Sequence, residues 1–260
     1  FLRCSYYPGA DTKTTVPIMV LHGWGSSRSE LHPFALYLQS FKHAVLVPDL
    51  RGHGRSTQQR NPRPGEPDLE ISAEKMRRPE IERMGLDVEA CKQFLMEKNN
   101  AGELNIEQLG VVGFEFGALL AVNWAAVDWS VRSLPAYKMG QDVKALALIS
   151  PPRKFQGITT QKALNQPDVR ARLSVLIVAG ADDAGAIGDA KRIYNGLERF
   201  HTNKEERDLV PYWPATSLQG LQLLNARSLN VPRTIAIFIN ERLVKKAELF
   251  PWTDRTGPLD

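Results

Sequence analysis

An α/β architecture, a mostly parallel and doubly wound sheet flanked by helices, is the fold that this 260-residue sequence predicts. Three observations lead to it. Short, almost continuously apolar runs recur along the chain, as strands buried on both faces require. Segments of helical periodicity separate them, and strand–helix alternation implies a parallel sheet. Apolar residues make up 43% and charged residues 24% of the chain, a balance that supports a large buried core and excludes disordered or fibrous classes.

The first run, residues 2–7, ends at the turn signal Pro8-Gly9. Further strands are expected at 18–21, 44–47, 109–113, 143–149, 174–179 and 209–213. Helices are expected at 30–39, 86–98, 118–126 and 190–200. A closing helix at 231–244 would turn Ile235, Ile237, Phe238 and Leu243 toward the core. Residues 58–79, rich in Pro, Arg and Glu, read as a surface excursion. Between 149 and 174 there is room for about one small helix, so no large cap domain is expected. One domain spanning 1–260 is the economical organisation.

The formal charge of +4 is modest, and the basic clusters at 75–78 and 245–246 adjoin acidic residues. They describe a solvated surface and not a nucleic-acid footprint. No stretch approaches the ~20 apolar residues that span a bilayer. Cys4 and Cys91 lie far apart and match no metal-binding spacing, so neither a metal site nor a disulfide framework is expected. The chain opens at Phe1 inside a strand-like run, as though a signal peptide or strand had been removed upstream, and localisation stays open. The pairs Tyr6/Tyr7 and Trp124/Trp129 read as core or edge packing.

In parallel sheets, ligands bind at the carboxyl ends of the strands. Three loops there have distinctive sequences: HGWG from His22, DLRGHGRS from Asp49, and GFEFG from Gly113. In the last, glycines at both ends let strand and helix approach through a sharp turn that presents the central side chain, Glu115, above the sheet edge. Taken in order, the three motifs resemble the α/β-hydrolase superfamily over essentially the whole chain. GFEFG is similar to its nucleophile elbow, whose usual form is G-x-S-x-G, and HGWG to its oxyanion-hole loop. The resemblance implies an oxyanion hole formed by the Trp24 and Phe116 N–H groups.

The resemblance also implies a nucleophile, an acid and a histidine, in that order along the chain. The elbow position holds Glu115. The acid position falls on Asp183, which reads equally as a helix cap. The loop after the last strand, PATSLQGL, contains no histidine. His201 precedes that strand and belongs near the opposite sheet edge. A Ser-His-Asp triad therefore cannot be assembled. The expected role is a hydrolase-like protein that binds a small-molecule ligand or a protein partner, with no cofactor and no metal. Glu115 itself, at a helix N-terminus, has two readings: folded into the former oxyanion hole it would satisfy that hole and close the site, and presented to the cleft it would be a fixed anion for a cationic or hydrogen-bond-donating ligand.

The alternative is a working hydrolase of esters or related small molecules that uses Glu115. It would draw on His22 or His53 as a base, or on Ser26 or Ser27 facing the pocket. His22, His53 and Phe114 are the pocket candidates, although His22 and His53 also read as loop-fixing residues. A remote alternative is dinucleotide binding, since Gly23-Trp24-Gly25 and Asp49 imitate part of that fingerprint; Arg28 stands where its third glycine would be.

Overall fold

The computed structural model describes residues 1–132, 138–202, 206 and 208–256. Its main sheet has seven strands: β1 (Arg3–Tyr7), β2 (Pro17–Leu21), β3 (Ala44–Asp49), β4 (Leu109–Phe114), β5 (Val143–Ile149), β6 (Ser174–Val178) and β7 (Leu209–Tyr212). Their spatial order is β1-β3-β2-β4-β5-β6-β7. β1 runs antiparallel to β3, and the other neighbours are parallel. Helices α1 (His32–Ser40), α2 (Gly85–Asn100), α3 (Phe116–Ser130), α4 (Ala184–Glu198), α5 (Gly220–Asn225) and α6 (Val231–Ile239) cover the two faces.

The period-2 alternation of a strand divides the core into two layers. Met19, Leu21, Leu46 and Val111 face the layer packed by α2, α3 and α4. Ile18, Val20, Val45 and Val112 face the layer packed by α1 and α6. Helix α3 is buried almost all round, as its uniformly apolar sequence requires.

Several expectations are corrected. Helix α4 begins at Ala184, six residues before the expected start, because Asp183 caps it by accepting the Ala186 N–H at 2.8 Å. Ile237 is 51% exposed. The inward stripe of α6 runs through Val231, Ile235, Phe238 and Ile239, and Ile237 falls off that helical spacing. A π-turn at Asn240–Val244 then shifts the register and returns Leu243 to the core. The 149–174 interval holds more than one small helix. It contains a hairpin (Lys154–Phe155 with Ile158–Thr159) and the short helices Gln161–Leu164 and Pro167–Arg172. Positive φ at Gln156 and Gly157 makes the hairpin's two-residue turn. No large cap domain covers the sheet.

At the amino edge of the sheet a cluster of buried charges ties the C-terminal segment down. Lys92 on α2 lies 2.6 Å from Asp128 on α3 and 2.8 Å from Asp142 before β5. Arg255 reaches Glu107 at 2.7 Å and Asp142 at 2.8 Å, and is itself only 2% exposed. Lys138 pairs with both of those acids. Removing one member of such a set leaves buried carboxylates without their counter-charge. Arg255→Ala is accordingly expected to cost roughly 3–5 kcal/mol in urea unfolding. A loss below about 1 kcal/mol, the level of a surface pair, would show that the cluster does not hold the segment.

Candidate active site

The turn between β4 and α3 is built by two glycines. A Cβ on Gly113 would stand 2.6 Å from the Ala118 nitrogen, and one on Gly117 would stand 2.6 Å from the His22 carbonyl oxygen. Their absence of side chains lets strand, helix and the neighbouring loop close on one another. Glu115 between them has φ 48° and ψ −115°, a conformation that L-residues rarely adopt. Its N–H donates to the Ile149 carbonyl at 2.8 Å, and its own carbonyl accepts from Ala118 at 2.9 Å, which pins the strained backbone.

The first reading of Glu115 calls for hydrogen bonds from the Trp24 and Phe116 N–H groups, the oxyanion-hole positions of the resemblance. Its carboxylate accepts no hydrogen bond from Trp24, from Phe116 or from any other described residue. It lies between two backbones instead: a Cβ on Gly23 would come within 2.5 Å of its Oε2, and one on Gly220 within 2.6 Å of its Cδ. The expected gain from the helix N-terminal donors is therefore not taken up as hydrogen bonds. Burial without a counter-charge pushes its carboxyl above the ordinary glutamate range.

The loops after β6 and β7 run side by side and bring the acid position to the same place. Ala179 donates to Tyr212 (3.2 Å), Ala181 to Pro214 (2.8 Å) and Asp182 to Thr216 (3.1 Å). Asp183 thus meets Gln219, whose side-chain amide donates to its carboxylate. Asp183 is at once the helix cap and the partner of a side chain on the loop where a histidine would be sought. The Ala186 N–H, then the Gln219 amide, hold its carboxyl below the usual aspartate range. Next in the chain, Gly220 has φ 47° and donates its N–H to Ser150 Oγ at 2.9 Å, and Ser150 has φ 49°. Gln219, Gly220 and Ser150 were not singled out from sequence; a glutamine and a serine in loops carry no spacing signal of their own.

The pocket candidates move elsewhere. Phe114 is fully buried two residues beyond Val112 on the same strand face, so it points into the α1/α6 layer and meets Phe34 edge-on at 6.0 Å. His22 is fully buried. Its Nδ1–H donates to the Gly23 carbonyl (2.7 Å) while Nε2 accepts the Leu50 N–H (3.0 Å), an arrangement that requires the neutral ring. Burial lowers its pKa to about 4. His53 donates through Nδ1 to the Arg51 carbonyl at 3.0 Å and packs on His22 and the edge of Trp24. Burial lowers its pKa as well. Neither imidazole hydrogen-bonds to Glu115. His201 lies beyond α4, with Nδ1 3.0 Å from Asp208, just before the amino end of β7 and away from Glu115, as expected.

What lines the cleft is different. A cavity of about 450 Å³ opens among Trp24, Ser26, Glu30, Glu115, Ser217 and Gln219. Ser26 donates to the Glu30 carboxylate at 2.5 Å and bonds to no histidine among the described residues, while Ser27 is paired with Ser29. Trp24, Phe116 and Phe155 pack with ring centroids 5.0–5.2 Å apart, so the short hairpin closes one side. A larger cavity of about 700 Å³ lies between α1 and α6, shares Glu30, and contains no elbow residue. Asp49 is consumed structurally: it accepts the N–H groups of Arg28 (2.8 Å) and Arg55 (2.9 Å) and the Arg28 guanidinium (3.0 Å), which removes the acid that ribose recognition would need. Among the described residues no group of three or more His, Cys, Asp or Glu side chains converges as a metal site.

A parallel α/β sheet with this elbow, a glycine-rich loop beside it and an acid after β6 defines the architecture of a hydrolase fold. The family model described as the alpha/beta hydrolase fold matches residues 16–185, and the chain belongs to that family. No curated protein matches the sequence significantly. Among solved structures, an esterase of Pyrococcus furiosus superposes with a TM-score of 0.65 at 14% identity, over 93% of this chain and 86% of its own. Dienelactone hydrolase from Anabaena variabilis gives 0.61 at 15% identity, over 93% and 92%. A monoacylglycerol lipase of Paleococcus ferrophilus gives 0.61 at 11% identity, over 93% and 99%. At these identities the likeness is one of fold.

Two outcomes follow from the wedged carboxylate. Gly220→Ala adds a methyl group against Glu115 at a left-handed position and is expected to destabilise. Combining it with Glu115→Ala should recover part of the loss, a coupling of about 1 kcal/mol in a double-mutant cycle of urea denaturations. Simple additivity would mean the two residues do not meet. Glu115 also affects stability through pH. Its raised pKa makes the folded chain hold this proton more tightly than the unfolded chain, so stability falls as pH rises from the ordinary glutamate value through the raised one. Glu115→Gln should therefore raise Tm by a few degrees at pH 7 and change it little at pH 4. A difference that does not grow with pH would sink this account.

Proposed function

We propose that the chain has abandoned Ser-His-Asp hydrolysis and uses the Glu115 cleft to hold a small ligand bearing a positive charge. One observation carries the reading: the elbow carboxylate is half-buried and unpartnered, and the acid beside it is bonded by Gln219. A primary amide can orient itself on Asp183, but it does not take up a proton at neutral pH as imidazole does. The base that would activate a nucleophile or a water is therefore missing, in keeping with the neutral, structurally bonded His22. Glu115, by contrast, is a fixed anion in a site that partly excludes water, where an ammonium group gains more than it would in bulk solvent. Glu30 at the rim adds a second carboxylate, and Trp24 offers an aromatic wall that a cation can approach.

The second reading, a hydrolase of esters or related small molecules with Glu115 as nucleophile, draws support from the strained elbow, which holds residue 115 as a nucleophile is held. Carboxylate nucleophiles are sound chemistry, and the oxyanion-hole positions Trp24 and Phe116 flank the site. The two readings separate on one pair of measurements. Titration calorimetry with n-butylammonium and its neutral counterpart n-butanol should show the cation binding at least ~10-fold tighter, with the preference lost in Glu115→Gln. A panel of p-nitrophenyl esters should show no turnover above background. Ester turnover abolished by Glu115→Ala would replace the binding reading with the catalytic one.

A further inference from the structure

Edge strand β1 carries Cys4 and Tyr6 on one side by the alternation of a strand, and Leu2 just before it continues the same phase. Leu2 and Tyr6 pack against the core layer that contains Cys91 of α2. Tyr6 meets Phe94 edge-on, with centroids 5.1 Å apart. Cys4 precedes Tyr6 by two strand residues and Cys91 precedes Phe94 by three helical residues, close to one turn, so the Tyr6–Phe94 contact brings both cysteines to the same stretch of the interface between β1 and α2. The two thiols are in side-chain hydrogen-bond contact and both are free. Cys4 is exposed while Cys91 is 2% exposed, so one thiol of the pair is open to reagents and the other is reached only through it.

We propose that Cys4 and Cys91 form a thiol–disulfide pair, oxidised by a low-molecular-weight disulfide such as oxidised glutathione, that joins β1 covalently to α2. The Cys4 thiolate attacks one sulfur of glutathione disulfide, forming a mixed disulfide and releasing one glutathione thiolate. Cys91, giving up its proton to solvent, then attacks Cys4 Sγ, forming the Cys4–Cys91 bond and releasing the second glutathione thiolate. The protein loses two electrons and two protons, and glutathione disulfide becomes two molecules of glutathione. The surroundings suit this order. The Cys91 contact, aided by the Arg28 charge, holds the Cys4 thiol below the usual range. The same contact together with burial pushes Cys91 well up. Exposure sets the roles: Cys4, open to solvent, is the attacking group, and the buried Cys91 is the resolving one.

The bond closes a long loop from the edge of the sheet to a helix that also holds Lys92 of the buried charge cluster, and such a closure restricts the unfolded chain. The test treats the folded chain with oxidised glutathione, blocks remaining thiols under denaturing conditions and measures intact mass and peptide linkage. Expected are a loss of about 2 mass units with no thiol left to block, a peptide linking Cys4 to Cys91, and a Tm higher by roughly 5 °C that dithiothreitol reverses. Cys4→Ser should show none of these, and Cys91→Ser should stop at a glutathione adduct on Cys4. Two thiols still open to blocking, a lasting glutathione adduct on wild-type Cys4, or disulfide-linked dimers would each overturn the proposal. Because the readout is independent of ligand and of ester turnover, it stands or falls apart from the function assigned to the Glu115 cleft.

Discussion

The backbone at residue 115 is forced into a left-handed turn, and the rest of the cleft is arranged around that constraint. Gly113 and Gly117 permit it by letting β4, α3 and the His22 loop come closer than any side chain would allow. The Ile149 carbonyl at the end of β5 and the first turn of α3 then fix it from either side. A residue held in this way costs of order 1–3 kcal/mol, which the surrounding sheet must offset. Ser150 and Gly220 are also at positive φ and are hydrogen-bonded to each other beside it. Three residues at positive φ thus meet at this junction of loops.

Within that frame the chemistry turns on two side chains. Glu115 brings a charge to a position otherwise suited to a nucleophile. Gln219 donates to Asp183 and so helps to align the β6 and β7 loops, with an amide that does not take up a proton at neutral pH. The elbow's glycines, the buried His22 and the Asp49 brace shape the loops, whatever side chain occupies the elbow. Asp49 illustrates the point: it ties the loop carrying Arg28 to the one carrying Arg55, and Gly54 leaves it the room, since a Cβ there would fall 2.5 Å from its Oδ2.

Much of the fold was legible in sequence because buried parallel strands write themselves as apolar runs, and the three glycine-rich loops mark where those strands end. That residues 214–221 contain no histidine is read directly from the sequence of one loop. What sequence could not convey was direction and partnership. Phe114 looked like a cleft residue because it adjoins Glu115, yet strand alternation sends it to the far layer. Ile237 looked internal until the narrow stripe of α6 and the following π-turn were seen. Gln219 gains its meaning only from Asp183, brought near by the pairing of two loops. The contact between Cys4 and Cys91 is likewise created by the packing of an edge strand on a helix and leaves no trace in their spacing.

The buried charges at the amino edge of the sheet bear on how the chain reaches this state during synthesis. Glu107, Asp128 and Asp142 emerge from a ribosome well before Arg255, and Lys92 and Lys138 balance only part of that negative charge. Until Arg255 arrives, the amino ends of β4 and β5 carry carboxylates that water must reach. The closure of this edge thus waits for the segment around Arg255, a keystone set after the arch has been raised.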